Sequence, residues 1–237
     1  DTTLLYAAGV VLTVCVCGSD CAVGQHFASH DRPMLLALGD LLLWILPGDA
    51  CAQREHLALI ALLPMLCVYA MRSNGALVGT AVAALAGVGG GIAVAIKPYF
   101  VSALVVPLAY VVWRSHKRGR RTMPLILAPE HISVAVVLAI YAGVIVTLFS
   151  NYSRIMPPIV LAVYAPSRAW IFFILGATSI ALIAMTTVVA RAVGGADFRT
   201  PVMRIFSLAV LGFTIAMLAQ GKGWQYHSYP AMTLSMF

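Results

Sequence analysis

Four short polar stretches carry the chemistry in this chain: Gln53-Arg54-Glu55-His56, Lys97-Pro98-Tyr99, Asn151-Tyr152-Ser153-Arg154 and Gly221-Lys222-Gly223-Trp224-Gln225-Tyr226-His227. Each stands at the mouth of an apolar run. Together they offer cations, one carboxylate, two histidines and several aromatic rings. Cations at a membrane surface bind phosphates, and guanidinium does so with forked geometry. A carboxylate and imidazoles can move protons. Tryptophan and tyrosine stack on sugar rings, although a single one more often belongs to the aromatic belt. The belt explains the dense GKGWQYH cluster less well, because two glycines and a lysine imply a shaped loop. His26 and His30 are four apart with Asp31 beside them, but a metal needs more ligands than that.

The stretch from Gly75 to Trp113 positions the second of these groups. Ala76 to Ile96 is apolar without interruption, long enough for one crossing of about 30 Å. Lys97 and Pro98 follow, and Tyr99 to Trp113 is apolar again, slightly short for a return helix. A lone lysine there must face a polar cavity or snorkel to an interface. Gly75, Gly79, Ala83, Gly87 and Gly91 recur at every fourth position, a small-residue stripe that lets a neighbouring backbone approach.

Composition sets the class. Of 237 residues, 62% are hydrophobic and 10% charged, and the mean hydropathy is +0.95. A soluble domain carries roughly 25% charged residues, so the chain reads as all-α, a polytopic bundle of transmembrane helices. The runs do not alternate as barrel strands would. The apolar runs are Leu4–Cys17, Met34–Pro47 (with Asp40 inside), Leu57–Met71, Ala76–Ile96, Tyr99–Trp113, Ile132–Ser150, Ala169–Ala190 and Ile205–Ala219, with another starting after Pro230. They predict about eight spans in a single transmembrane domain covering 1–237. Pro129 and Glu130 read as a helix start, and Asn151–Arg168 as an amphipathic segment along an interface. The five cysteines form no disulfide or metal framework. The chain begins at Asp1 without a basic leader and ends inside an apolar run, which reads as a fragment of a longer protein.

Net charge of +7 in a membrane protein points first to cytoplasmic loops rather than to nucleic acid. With Arg114–Arg121 placed in the cytoplasm, alternation puts ten of the fifteen basic residues on that side: Arg32, Arg72, Arg114, Lys117, Arg118, Arg120, Arg121, Arg191, Arg199 and Arg204. All four polar stretches then fall on the external side.

The order of these segments resembles the membrane core of the GT-C superfamily, integral membrane glycosyltransferases that use polyprenyl-phosphate sugars as donors. Gln53-Arg54-Glu55-His56-Leu57 holds the place of an acidic motif opening an external helix. GGGIAVAIKPYF resembles a Gly-rich helix rising to a basic residue, and GWQYHSYPA an external Tyr/Pro motif. The resemblance implies sugar transfer from a polyprenyl-phosphate-linked donor to an acceptor hydroxyl on the external face of a bacterial inner membrane. Arg54 and Lys97 would meet the phosphate, with His56 and Tyr99 beside them. Lys222 and His227 would serve the same lip, and Trp224 or Tyr226 would hold the sugar. A base must deprotonate the acceptor and cations must stabilise the leaving phosphate. Glu55 could assist, but the family's usual catalytic carboxylate lies on a first external loop that would precede Asp1, together with the first helix. Some relatives use a divalent metal, for which Glu55, His56 and His227 could supply ligands, although no cofactor is required by the spacing. Membrane lipids are the other expected partners, and the sequence leaves the oligomeric state open.

Two other classes compete. A transporter of a lipid-linked or small anionic substrate would use Asp40 and Lys97, and would show inverted repeats and charges near mid-bilayer. A non-catalytic subunit or scaffold of a larger membrane complex would use the basic loops as docking surfaces.

Overall fold

The computed structural model describes residues 43, 53–164, 166–167, 169, 200–222 and 224–236. These form helices joined by short turns: α1 (Arg54–Asn74), α2 (Thr80–Ile96), α3 (Val101–Lys117), α4 (Met123–Ile126), α5 (Pro129–Leu148), α6 (Ser150–Ile159), α7 (Pro201–Gln220) and α8 (Gln225–Met236). A 3-10 turn, Pro98–Phe100, leads into α3, and a π-helical turn, Val160–Tyr164, continues α6.

The expectation of about eight spans in a GT-C-like core is corrected. Among the described residues, four helices are long and apolar enough to cross a membrane: Arg54–Asn74, Pro98–Lys117, Pro129–Leu148 and Pro201–Gln220. The chain is an integral membrane protein on that footing. The run Ala76–Ile96 does not become one crossing helix. Gly75 takes a left-handed φ of 84° and closes α1, with its N–H bonded to Arg72 O and the Ala76 N–H to Met71 O. That is a Schellman cap. Ala76 to Gly79 is then non-helical, and α2 keeps 17 residues, about 25 Å. The same glycines that begin the stripe cut the helix short. Helix α8 has 12 residues, about 18 Å. The return helix, by contrast, is longer than its apolar run, because the 3-10 turn and the polar end of α3 extend it to Pro98–Lys117. The expected runs Leu4–Cys17 and Ala169–Ala190 lie outside the described residues except for Ala169, and Met34–Pro47 except for Leu43. His26, His30, Asp31 and Asp40 also lie outside them.

Helix α1 is the hub, packing against α2, α3, α7 and α8. Its core side chains include Leu59, Leu62, Met65, Leu66 and Tyr69. Helices α3 and α7 pair closely, with Phe100 edge-on to Phe213. Helix α5 stands at the outside, leaning mainly on α2. That seam is where the small-residue stripe acts. A Cβ built on Gly87 would lie 2.1 Å from the Glu130 carbonyl oxygen, and one on Gly91 would lie 2.7 Å from Val137 Cβ. Helix α5 starts as its sequence predicts, with Pro129 in the first turn and Glu130 facing the positive end.

Because α1, α2, α3 and α5 run alternately and α7 runs in the same direction as α5, the polar ends sort into two sets. The start of α1, the end of α2, the end of α7 and the start of α8 share one end. The end of α1 and of α3, and the starts of α5 and α7, share the other.

Candidate functional site

Glu55 lies in the first turn of α1, where a carboxylate suits the helix dipole. Its side chain is 3% exposed. Such a charge needs a partner, and Lys97 provides it: the ammonium is ion-paired to Glu55 Oε1. Lys97 closes α2 and is held in extended backbone just before Pro98. Its ammonium also lies 5.8 Å from the centre of the Phe100 ring. Burial pulls the Lys97 pKa below the usual lysine value, and the bond to Glu55 works against that fall.

His227, in the first turn of α8, completes the group. Its Nε2 is 3.5 Å from Glu55 Oε1 and the residue is buried. Burial, and then the charges of Lys97, Lys222 and Arg54, push its pKa down to about 3. The carboxylate alone would favour imidazolium, but it is already engaged by Lys97, so the ring stays neutral. His227 Nδ1 is buried without a hydrogen-bond partner among the described residues. The ring packs edge-on against Tyr226 at 4.5 Å and lies 5.4 Å from Trp224. Trp224 and Tyr226 are 5.5 Å apart, and Trp224 is 48% exposed. Lys222 stands 5.4 Å over the Trp224 ring and donates to Ser167 Oγ at 2.6 Å.

The sequence-predicted residues therefore divide. Glu55, Lys97 and His227, far apart in the chain, meet. Arg54 is exposed one residue from Glu55 and acts through its charge. Lys222, Trp224 and Tyr226 form the adjoining wall. His56 and Tyr99 do not join. His56 turns inward, donating from Nε2 to the Leu43 carbonyl at 2.7 Å and packing edge-on to Tyr229. Neighbouring helical residues point about 100° apart, so Glu55 and His56 cannot share a target. Tyr99 is 45% exposed. Among the described residues no group of three His, Cys, Asp or Glu side chains could hold a metal, so Glu55, His56 and His227 do not converge as ligands. Asn151 and Arg154 are exposed on α6.

Sequence reasoning missed a second polar cluster at the opposite end. Arg72 donates from Nε and Nη2 to the two oxygens of buried Glu130, at 3.0 and 3.1 Å. Tyr69 Oη donates to His131 Nε2 at 3.0 Å, since His131 Nδ1 is committed to the Leu125 carbonyl at 2.8 Å. Tyr110 Oη accepts from Arg114 at 2.7 Å and from Arg204 at 3.0 Å. The available signal was Glu130: with Glu55 it is one of two carboxylates among the described residues, and a carboxylate beside an apolar helix has to find a cation.

Comparison with family models, with curated proteins and with solved structures returns no match.

Proposed function

We propose that the protein is a membrane glycosyltransferase that moves a sugar from a polyprenyl-phosphate donor to an acceptor hydroxyl, with its site at the Glu55–Lys97–His227 end of the bundle. One observation carries the reading. Three cations, Arg54, Lys97 and Lys222, all act on a neutral histidine beside a single carboxylate and a wall of exposed Trp224 and half-buried Tyr226. That excess of positive charge at a helix mouth suits a phosphate, and the wall suits a sugar ring. In this scheme the donor phosphate replaces Glu55 on Lys97. The released carboxylate assists in taking the acceptor proton. The acceptor oxygen bonds to the anomeric carbon as the bond from that carbon to phosphate oxygen breaks, and polyprenyl phosphate departs against the cations. The external face of a bacterial inner membrane is the location that goes with this chemistry.

A carrier would be favoured by charges near mid-depth. Both described carboxylates instead lie in the terminal turns of their helices. The test is sugar transfer from lipid-linked donors by the full-length protein in nanodiscs. Lys97→Met should reduce transfer about ten- to a hundredfold, the loss of one charge-assisted bond to phosphate. Lys97→Arg should keep part of the rate, and Lys117→Met nearly all of it. Wild-type rates in Lys97→Met would make Lys97 an interfacial anchor, and no transfer with any lipid-linked donor would reject the enzyme.

A further inference from the structure

At the end of the bundle remote from Glu55, we propose a phosphate-binding site between Arg114 and Arg204 that takes the headgroup of an anionic phospholipid. Two guanidinium groups from different helices donate to one phenol oxygen, Tyr110 Oη, at 2.7 and 3.0 Å. Their donor nitrogens are therefore within about 6 Å of each other. Like charges this close require an anion or a strong structural reason. Among the described residues no carboxylate supplies one: Glu130 is taken bidentately by Arg72, and Glu55 is at the far end of α1.

The backbone adds to the positive field. Arg204 is the fourth residue after the Thr200 N-cap of α7, close to the positive end of that helix, where a cation is disfavoured unless something negative joins it. Arg114 stands in the last turn of α3 and stacks on Tyr110 at 6.0 Å from the ring centre. Tyr110 thus holds two guanidinium groups side by side through its one oxygen. Two phosphate oxygens can each take one fork, which is the geometry guanidinium pairs recognise.

The level of the site identifies the source of the phosphate. Trp113, next to Arg114, is 55% exposed and lies 5.8 Å from Tyr110 in the last turns of a membrane-length helix. Tryptophan at that depth belongs at the headgroup layer. The neighbouring Lys117 and Arg121 are exposed and raise the local attraction for anionic lipid. Arg118 and Arg120 contribute less, because they donate to the Ser73 and Gly75 carbonyls.

The experiment is lipid binding to the full-length protein by native mass spectrometry, with thermal unfolding in nanodiscs of phosphatidylcholine with and without phosphatidylglycerol. Wild type should retain phosphatidylglycerol about tenfold better than phosphatidylcholine. Arg114→Gln and Arg204→Gln should each remove most of that preference, while Lys117→Gln, the same charge change at the same end, should stay within about twofold. Tyr110→Phe keeps both cations but loses the oxygen that holds them together, and should lower the preference less than either arginine variant; unfolding of Arg114→Gln and Arg204→Gln in phosphatidylcholine alone at the wild-type temperature separates loss of the site from loss of folding. Inorganic phosphate added in phosphatidylcholine alone tests the other source. Stabilisation by phosphate with no further gain from phosphatidylglycerol would overturn the lipid assignment. Equal retention of the two lipids without any effect of phosphate, or equal losses in Arg204→Gln and Lys117→Gln, would overturn the site.

Discussion

Lys97 has two properties that separate its chemistry from its structural role. It neutralises a buried carboxylate, and it is the cation placed to meet a phosphate in the proposed reaction. Removing one partner of a buried pair leaves the other uncompensated, so Lys97→Met should lower stability by roughly 3–5 kcal/mol. Glu55→Gln combined with Lys97→Met removes both charges and should recover most of that loss, as read by denaturant unfolding, without restoring sugar transfer. Full recovery of transfer in the double variant would deny Lys97 any part in the reaction. His227 gives a second test at this scale. Its folded pKa of about 3 lies below the ordinary value of 6.5, so the unfolded chain binds the extra proton between those values. Stability contributed by the neutral ring is present above about pH 6.5 and is lost as pH falls towards 3. His227→Gln should flatten the fall in melting temperature between pH 6.5 and 5; an unchanged slope would mean that His227 takes up its proton at the ordinary value in the folded protein as well.

At the scale of elements, the seam between α2 and α5 is set by glycine. Gly87→Ala would drive a methyl into the Glu130 carbonyl, which is backbone and cannot rotate away. Overpacking of this kind costs about 1–3 kcal/mol, and here it would also disturb the Arg72–Glu130 pair. Gly79→Ala meets nothing within 4 Å among the described residues and should be nearly neutral. Thermal unfolding of the two variants in one detergent checks the contrast, and equal losses would refute the close approach. The stripe was legible because its spacing of four is a property of sequence alone. Its ends were not. Gly75 and Gly79 have the same spacing as Gly87 and Gly91, yet Gly75 adopts φ 84° as a cap and Gly79 precedes the first turn of α2. A glycine's conformation is decided by the chain packed around it, and spacing does not carry that information. The meeting of Glu55, Lys97 and His227 was legible for a different reason. Alternating helices of similar length force their mouths into two layers, so polar residues at mouths of the same parity must share an end. Which of two adjacent residues turns inward was not legible, and His56 went to Leu43 and Tyr229 instead.

For the whole molecule, the two layers of charge are the main constraint. Glu55 and Arg72 are 17 residues apart on one helix, about 25 Å. The separation of the ion pairs Glu55–Lys97 and Arg72–Glu130 is close to the thickness of a hydrocarbon core of about 30 Å, which suits levels near its two faces rather than at its middle. Orientation depends on the other charges in each layer. The Arg72 layer gathers Arg114, Lys117, Arg118, Arg120, Arg121 and Arg204, and an excess of Lys and Arg in short loops marks the cytoplasmic side. The Glu55 layer should then face outward, as sugar transfer from an external polyprenyl-phosphate donor needs. Lys117 and Asn151 are exposed at the two ends and make suitable reporters. In a cysteine-free background, Lys117→Cys should react with an impermeant maleimide only after the membrane is opened, and Asn151→Cys should react in intact cells. The reverse pattern would put the Arg114–Arg204 pair outside and the proposed donor site inside. Labelling of both from one side would break the alternation of α1, α2, α3 and α5 on which the two-layer arrangement rests.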